Sequence, residues 1–204
     1  LFHTDAVQAV GHISINVHNL GVDMLSASAH KFNGPKGVGF LYIRNGIEIL
    51  PYSDGGAQES GLRAGTENIA GIVGMAVALK NNCDALEENV KHVRGLESKL
   101  VDMLDNTGIQ YTRNGGADRL PGLVSLSFPG IEGEAILHRL DLNGICVSTG
   151  SACNSKSTEV SHVLQAIRLE DSYAKGTIRI SLGKANTEDE VEAIFNALVK
   201  IFHI

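Results

Sequence analysis

The sequence predicts an α/β fold in residues 1–82 that passes into a smaller α+β unit in residues 83–204. Three observations carry this. Apolar runs near the start end in chemistry-bearing residues, and the 26 residues from Asp5 to Lys31 match one α/β crossover. A long amphipathic period runs from Leu86 to Leu104 and reads as a helix bridging into a second unit. Beyond it, short strands and helices alternate without a repeat or a low-complexity tract.

Composition narrows the function classes. The chain has 204 residues, enough for one large or two modest domains. Hydrophobic residues are 43% and charged residues 20%, ordinary for a soluble globular protein. A net charge of −6 with no basic run does not suggest nucleic acid as a direct partner. No apolar stretch approaches the roughly 20 residues of a membrane span, and no signal peptide is visible. Three cysteines without a CxxC pattern argue against a disulfide framework or a structural zinc site. The expectation is a cytoplasmic protein with no metal. Leu1-Phe-His-Thr reads as the end of a strand, so the sequence is expected to start inside a domain.

Taken in order, residues 1–43 read as strand, short helix, strand, turn, strand. His12-Ile-Ser-Ile-Asn-Val17 alternates and suggests a short extra strand, with His18 on the surface. Asp54-Gly55-Gly56-Ala57-Gln58-Glu59 is a loop. Thr66 is a good N-cap for a helix with Ile69, Ile72, Val73, Ala76 and Val77 inward, and Gly71 and Gly74 suggest close packing of that helix. Asn81-Asn82 marks a break before the amphipathic helix, where Cys83 looks like a spectator. Strands are expected at residues 109–112 and 123–128, and a helix at 134–142 with Gly144 past its end. Ile145-Cys-Val-Ser148 reads as a short buried strand that makes Cys146 an inert core thiol. A helix capped by Ser157 carries Val160, Val163, Leu164 and Ile167. An alternating strand spans 177–182, and Thr187-Glu-Asp-Glu190 is a capping box opening the last helix.

Two stretches carry chemistry. In residues 26–43, Ser28, His30 and Lys31 stand together at the end of an apolar run, before the turn Asn33-Gly34-Pro35 and Gly37. A partly desolvated lysine there can form a Schiff base, although a lone loop lysine is more often merely solvated. Asp5, followed by Gln8, also ends an apolar start. Pyridoxal 5'-phosphate (PLP) needs a Schiff-base lysine, a carboxylate for its pyridinium nitrogen and donors for its phosphate. Lys31, Asp5, and Ser28 with His30 match these needs. In the second stretch, Ser148-Thr-Gly-Ser-Ala-Cys-Asn-Ser-Lys-Ser157, everything around Cys153 is small or polar. That predicts an exposed thiol in a mobile loop at about residues 150–156, with Lys156 able to lower its pKa. Arg179 lies on the polar side of its strand with Thr177 and Ser181, and arginine suits bidentate carboxylate binding.

His3-Thr-Asp-Ala-Val-Gln8, Ser26-Ala-Ser-Ala-His-Lys31 with Gly34-Pro-Lys-Gly37, and Ser-x-Gly-Ser-Ala-Cys153 resemble segments of the NifS/IscS-like cysteine desulfurases. These are PLP enzymes of the aspartate-aminotransferase fold type. The resemblance covers nearly all of this sequence but only the back half of a full-length enzyme, without the front-half turn that grips the phosphate and the histidine that stacks on the ring. It implies that residues 1–82 are the C-terminal part of the PLP-binding large domain, with a small domain after it. It implies that Lys31 binds PLP, Asp5 the pyridine nitrogen, Gln8 the ring hydroxyl, and Ser28 and His30 the phosphate. Thr66, in the segment matching Arg-x-Gly-Thr, would serve the phosphate of the neighbouring subunit in a homodimer. Arg179 would hold the carboxylate of L-cysteine, and Cys153 would take its sulfur as a persulfide. The sulfur would pass to an acceptor such as an iron–sulfur scaffold or a tRNA-thiolation relay. A selenocysteine lyase, another enzyme of this fold type, and a truncated, silent dimerisation or partner-binding module stay open as alternatives.

Overall fold

The computed structural model describes residues 1–149 and 160–202. It divides into two compact units, Leu1–Glu88 and Asn89–Ile204.

The first unit is built on a three-stranded sheet, β1 (His3–Asp5), β2 (Met24–Ser28) and β3 (Gly39–Ile43), in that spatial order. β1 and β2 are parallel, with Asp5 opposite Ser26, and β3 returns antiparallel to β2. Alternation along β2 buries Leu25 and Ala27. Gly39 belongs where it is because a Cβ there would lie 2.4 Å from the Ala27 carbonyl oxygen.

Between β1 and β2 the chain makes one short helix, α1 (Val17–Leu20), capped by Asn16, whose side chain accepts from His18 and Asn19. The strand expected over residues 12–17 does not form: residues 12–16 are turn and coil, and Val17 opens α1. Its alternation comes from Ile15 and Val17 packing on the core while the chain climbs into α1. His18 is exposed, as expected.

After β2 comes a 3-10 turn, Ala29–Phe32, closed by Asn33 in the left-handed conformation. α2 (Ile69–Asp84) packs against this turn. Its N-cap is Asn68, which accepts from Gly71 N at 3.0 Å, so Thr66 is not the cap. Its inner side carries Gly71, Met75, Ala78, Leu79 and Asn82, whereas Ile69, Val73 and Val77 are exposed. The expected inward face was therefore the wrong one: the helix is apolar on nearly all sides, and hydrophobicity alone does not choose among them. Gly74 does mark a close approach, since a Cβ there would sit 2.8 Å from Pro35 Cγ. The chain breaks at Ala85, not at Asn81-Asn82, because Asn82 is held within the helix by its own backbone and side-chain bonds.

The second unit opens with most of α3 (Leu86–Asp105). Its sheet runs β4 (Thr112–Arg113), β5 (Leu123–Ser127), β7 (Thr177–Ser181), β6 (Ser148–Thr149), all antiparallel. The sheet's apolar side holds Val124, Leu126, Ile178 and Ile180. Onto it pack Val93, Leu96, Leu100 and Leu104 of α3, Ile136 and Leu140 of α4 (Gly133–Asp141), and Val191, Ile194 and Leu198 of α7 (Glu188–Phe202). Two shorter helices, α5 (His162–Ala166) and α6 (Asp171–Ala174), precede β7.

The capping box at the start of α7 is present: Thr187 N donates to Glu190 Oε2 at 2.9 Å and Glu190 N to Thr187 Oγ1 at 3.3 Å. Two expectations need correcting. α5 is capped by Ser161, which accepts from Val163 N at 3.3 Å, and the expected cap Ser157 lies outside the described residues. Residues 145–147 are not strand, and Cys146 is exposed. Ile145 and Val147 turn toward the core, and the residue between two inward neighbours faces the other way.

Candidate active site

In the first unit, β1 and β2 run parallel, so their carboxyl ends lie together at one edge of the sheet. Ligand groups in open α/β sheets gather at such ends. Asp5 is the last residue of β1, and its Oδ1 accepts Val7 N at 2.9 Å. The other oxygen, Oδ2, has no protein partner among the described residues. Gln8 follows in the turn after β1 and is exposed.

Ser28 ends β2 and His30 and Lys31 follow in the 3-10 turn. Ser28 Oγ and His30 Nδ1 share a hydrogen bond of 2.8 Å, which fixes both polar groups beside Lys31. Lys31 is half-buried. Asp5, Ser28, His30 and Lys31 are thus brought to the same end of two adjacent strands. Thr66 is not tied to them: it lies on the exposed loop before α2, where Arg63 Nη1 donates to Gly65 O at 2.9 Å and Gly65 N to Gln58 Oε1 at 3.2 Å.

In the second unit, Arg179 is at the middle of β7, paired with Ser125 of β5 on one side and Ser148 of β6 on the other. Its Nη2 donates to Ser148 Oγ at 3.4 Å, near the limit for such a bond, and its buried Nε has no partner among the described residues. The same side of the sheet is lined with hydroxyls. Ser127 Oγ and Thr177 Oγ1 lie 2.6 Å apart, and Asn114 Nδ2 donates to Ser127 Oγ at 2.7 Å. Cys153, and with it the expected mobile loop at residues 150–156, lies outside the described residues. Among those residues no group of His, Cys, Asp and Glu could hold a metal ion, and no helix is long and apolar enough to cross a membrane.

Sequence reasoning missed two residues near Lys31. His12 Nε2 donates to the Lys31 carbonyl at 2.7 Å, and buried Asn82 donates to the Phe32 carbonyl at 2.6 Å. The Asn at an inward position of an apolar helix was the available signal. A cleft of about 530 Å³ in the second unit, lined by Val101, Ile109, Tyr111, Arg113 and Tyr173 among others, contains none of the chemistry-bearing residues above.

The donor set at the end of β1 and β2 suits a phosphorylated pyridine aldehyde. It offers an amine, a carboxylate with an unengaged oxygen, and a hydroxyl and imidazole that can donate to phosphate. Comparison with known proteins points the same way. Residues 1–194 match the family model described as aminotransferase class-V. Over 98% of its length the chain is 48% identical to cysteine desulfurase IscS of Clostridium botulinum (strain Hall). Among solved structures, a NifS-like protein superposes with a TM-score of 0.88 at 44% identity, covering 98% of this chain and 52% of that one. A NifS-like protein from Rickettsia africae ESF-5 does so with a TM-score of 0.88 at 33% identity, covering 100% and 54%. The chain spans about half the length of the relatives it matches, 51% for the Clostridium protein. With the family model matching nearly its whole length, on a mixed α/β fold shared with NifS-like structures, the chain belongs to the class-V aminotransferase family.

Proposed function

We propose that this chain contributes the cofactor lysine, the ring acceptor and the persulfide cysteine of a PLP-dependent cysteine desulfurase, which converts L-cysteine to L-alanine. The observation that carries the reading is the gathering of Asp5, Ser28, His30 and Lys31 at the carboxyl ends of β1 and β2. The names of the relatives support the substrate. In this reading residues 1–82 are the C-terminal part of the PLP-binding large domain, and 83–204 are the bridging helix and small domain.

When bound, PLP supplies an electron sink for the substrate's α-carbon. The chain's own residues do the rest. Asp5 Oδ2 would accept a hydrogen bond from the pyridine N–H and so keep that nitrogen protonated. Gln8 hydrogen-bonds the ring hydroxyl. Ser28 and His30 donate to the phosphate, joined by Thr66 of a neighbouring copy. Arg179 meets the α-carboxylate through Nε, the buried donor that has no partner among the described residues. The Lys31 amine moves the proton at the substrate's α-carbon. The Cys153 thiolate then attacks the substrate sulfur. An S–S bond forms, the Cβ–S bond breaks with its electron pair going to carbon, and that carbon takes a proton and leaves as alanine. Sulfur stays as a persulfide on Cys153 for an acceptor such as an iron–sulfur scaffold or a tRNA-thiolation relay. The working protein is a cytoplasmic homodimer, and the exposed Ile69, Val73 and Val77 on one side of α2 supply apolar surface for such an assembly.

The test is alanine release with persulfide labelling on the intact protein, checked as a dimer by light scattering. Cys153→Ala should retain bound PLP yet make no persulfide and no alanine. Cys146→Ala and Cys83→Ala should keep most activity. A Cys153→Ala protein that turns over like wild type would sink the desulfurase reading.

A further inference from the structure

The turn that carries Lys31 is held by two side chains from distant parts of the first unit. A 3-10 turn leaves its last carbonyls without partners of its own. Ala29 O is satisfied locally, by Asn33 N and by Gly34 N at 2.8 Å. Lys31 O and Phe32 O are not. His12, in the turn after β1, donates Nε2–H to Lys31 O at 2.7 Å. A carbonyl can only accept, so this nitrogen must carry the proton. Asn82, in the last turn of α2, donates Nδ2 to Phe32 O at 2.6 Å and to Ala78 O at 2.9 Å. Both partners are acceptors, which sets the amide's orientation.

Neither contact is incidental to packing. Asn82 is only 4% exposed, and an amide is costly to bury unless its bonds are made. Phe32 is fully buried, so its carbonyl cannot turn to water without moving the ring. Glycines let the donors approach. Gly11, at φ +80°, lies so close that a Cβ would be 2.8 Å from Phe32 Cβ, and this brings His12 onto the turn. Gly74 does the same for α2 against Pro35.

We propose that His12 and Asn82 are positioning residues for Lys31. Burial of Phe32 fixes where the turn sits, but not the rotation of its peptide planes. Two side-chain donors on successive carbonyls fix those planes, and with them the Cα from which the long, flexible Lys31 side chain starts. The proposal rests on the reading of Lys31 as the lysine that binds PLP.

The experiment uses the PLP-loaded intact protein and two readouts. One is the rate at which PLP is lost to a scavenger, followed by its visible absorbance. The other is amide exchange across residues 30–34, with the β5–β7 pair as internal reference. His12→Leu and Asn82→Leu should each lose PLP roughly tenfold faster and exchange the turn roughly tenfold faster, with the reference unchanged. His12→Gln, which restores an N–H donor, should return both rates to near wild type. Leu variants with wild-type rates overturn the proposal, as does a His12→Gln protein no better than His12→Leu. His12 is half-buried, so the His12 pair decides the matter even if Asn82→Leu does not fold. Borohydride trapping of PLP in the wild type, read by peptide mass, checks the underlying reading separately. Trapping on another lysine overturns the assignment of Lys31, and the proposal with it. Trapping on Lys31 with unchanged variant rates overturns only the positioning.

Discussion

Arg179 is a cation with a buried donor left over. Among the described residues its Nε is unpartnered, and its Nη2 reaches Ser148 Oγ at only 3.4 Å. A buried charged donor without a partner is costly, so it persists where a ligand supplies the missing acceptor. If that ligand is the substrate carboxylate, Arg179→Lys should lower kcat/KM for L-cysteine by roughly 10- to 100-fold, largely through KM. A lysine keeps the charge but loses the planar fork that meets both carboxylate oxygens. Steady-state kinetics on the intact protein checks this, and an unchanged KM would remove Arg179 from the substrate site. The sequence made this residue legible because alternation with Ile178 and Ile180 placed it on the polar side of β7. Cys146 was misread by the opposite use of the same rule. Apolar neighbours on both sides suggested burial, whereas a period of two sends the middle residue outward.

For the elements, legibility followed the contrast between faces. α3 and α7 carry one apolar and one charged side, and their inward residues were readable. α2 lacks that contrast. What chose its inner side was contact with the segment after β2, where Asn82 donates to the Phe32 carbonyl and Gly74 lies against Pro35, a tertiary fact no local pattern holds. Its start was ambiguous for a related reason. Thr66 and Asn68 are both good caps, and only the path of the loop decides which side chain reaches a free N–H. The observed bond from Gly71 N to Asn68 Oδ1 predicts that Asn68→Ala destabilises the first unit by about 1 kcal/mol. Thr66→Ala should leave stability within about 0.5 kcal/mol, as expected for an exposed loop position. Urea titrations of the two variants measure the difference. If Thr66 serves phosphate, its variant should instead show weaker PLP retention, so the two substitutions separate cap from ligand.

Across the whole molecule, the two units differ in how much apolar surface they bury. The second has a continuous core in which Leu100, Leu104, Leu126, Phe128, Ile136, Ile178 and Leu198 are fully enclosed. The first has a small core around Leu25, Ala29 and Phe32, and leaves Leu50, Tyr52, Ile69, Val73 and Val77 exposed. Stability follows buried area, so the chain by itself should not unfold in one step. At neutral pH the first unit should exchange its amides and melt first, and the β5–β7 pair last. Alkali should narrow the gap from the other side. Burial first, then the hydrogen bond to Asp105, push the Tyr111 hydroxyl well above its usual value. A raised pKa gives stability that is fully present below the unfolded value near 10 and is lost as pH climbs from there. Tyr111 belongs to the second unit, so that unit should weaken selectively above about pH 10. The Lys80–Asp84 pair in the first unit is exposed and adds little of the same kind. Hydrogen exchange at pH 7 and urea melts from about pH 8 to 11 test both halves, with Tyr111→Phe as control. That variant should flatten the alkaline decline. A decline equally steep in Tyr111→Phe, or a first unit that outlasts the second at neutral pH, would count against this division of stability.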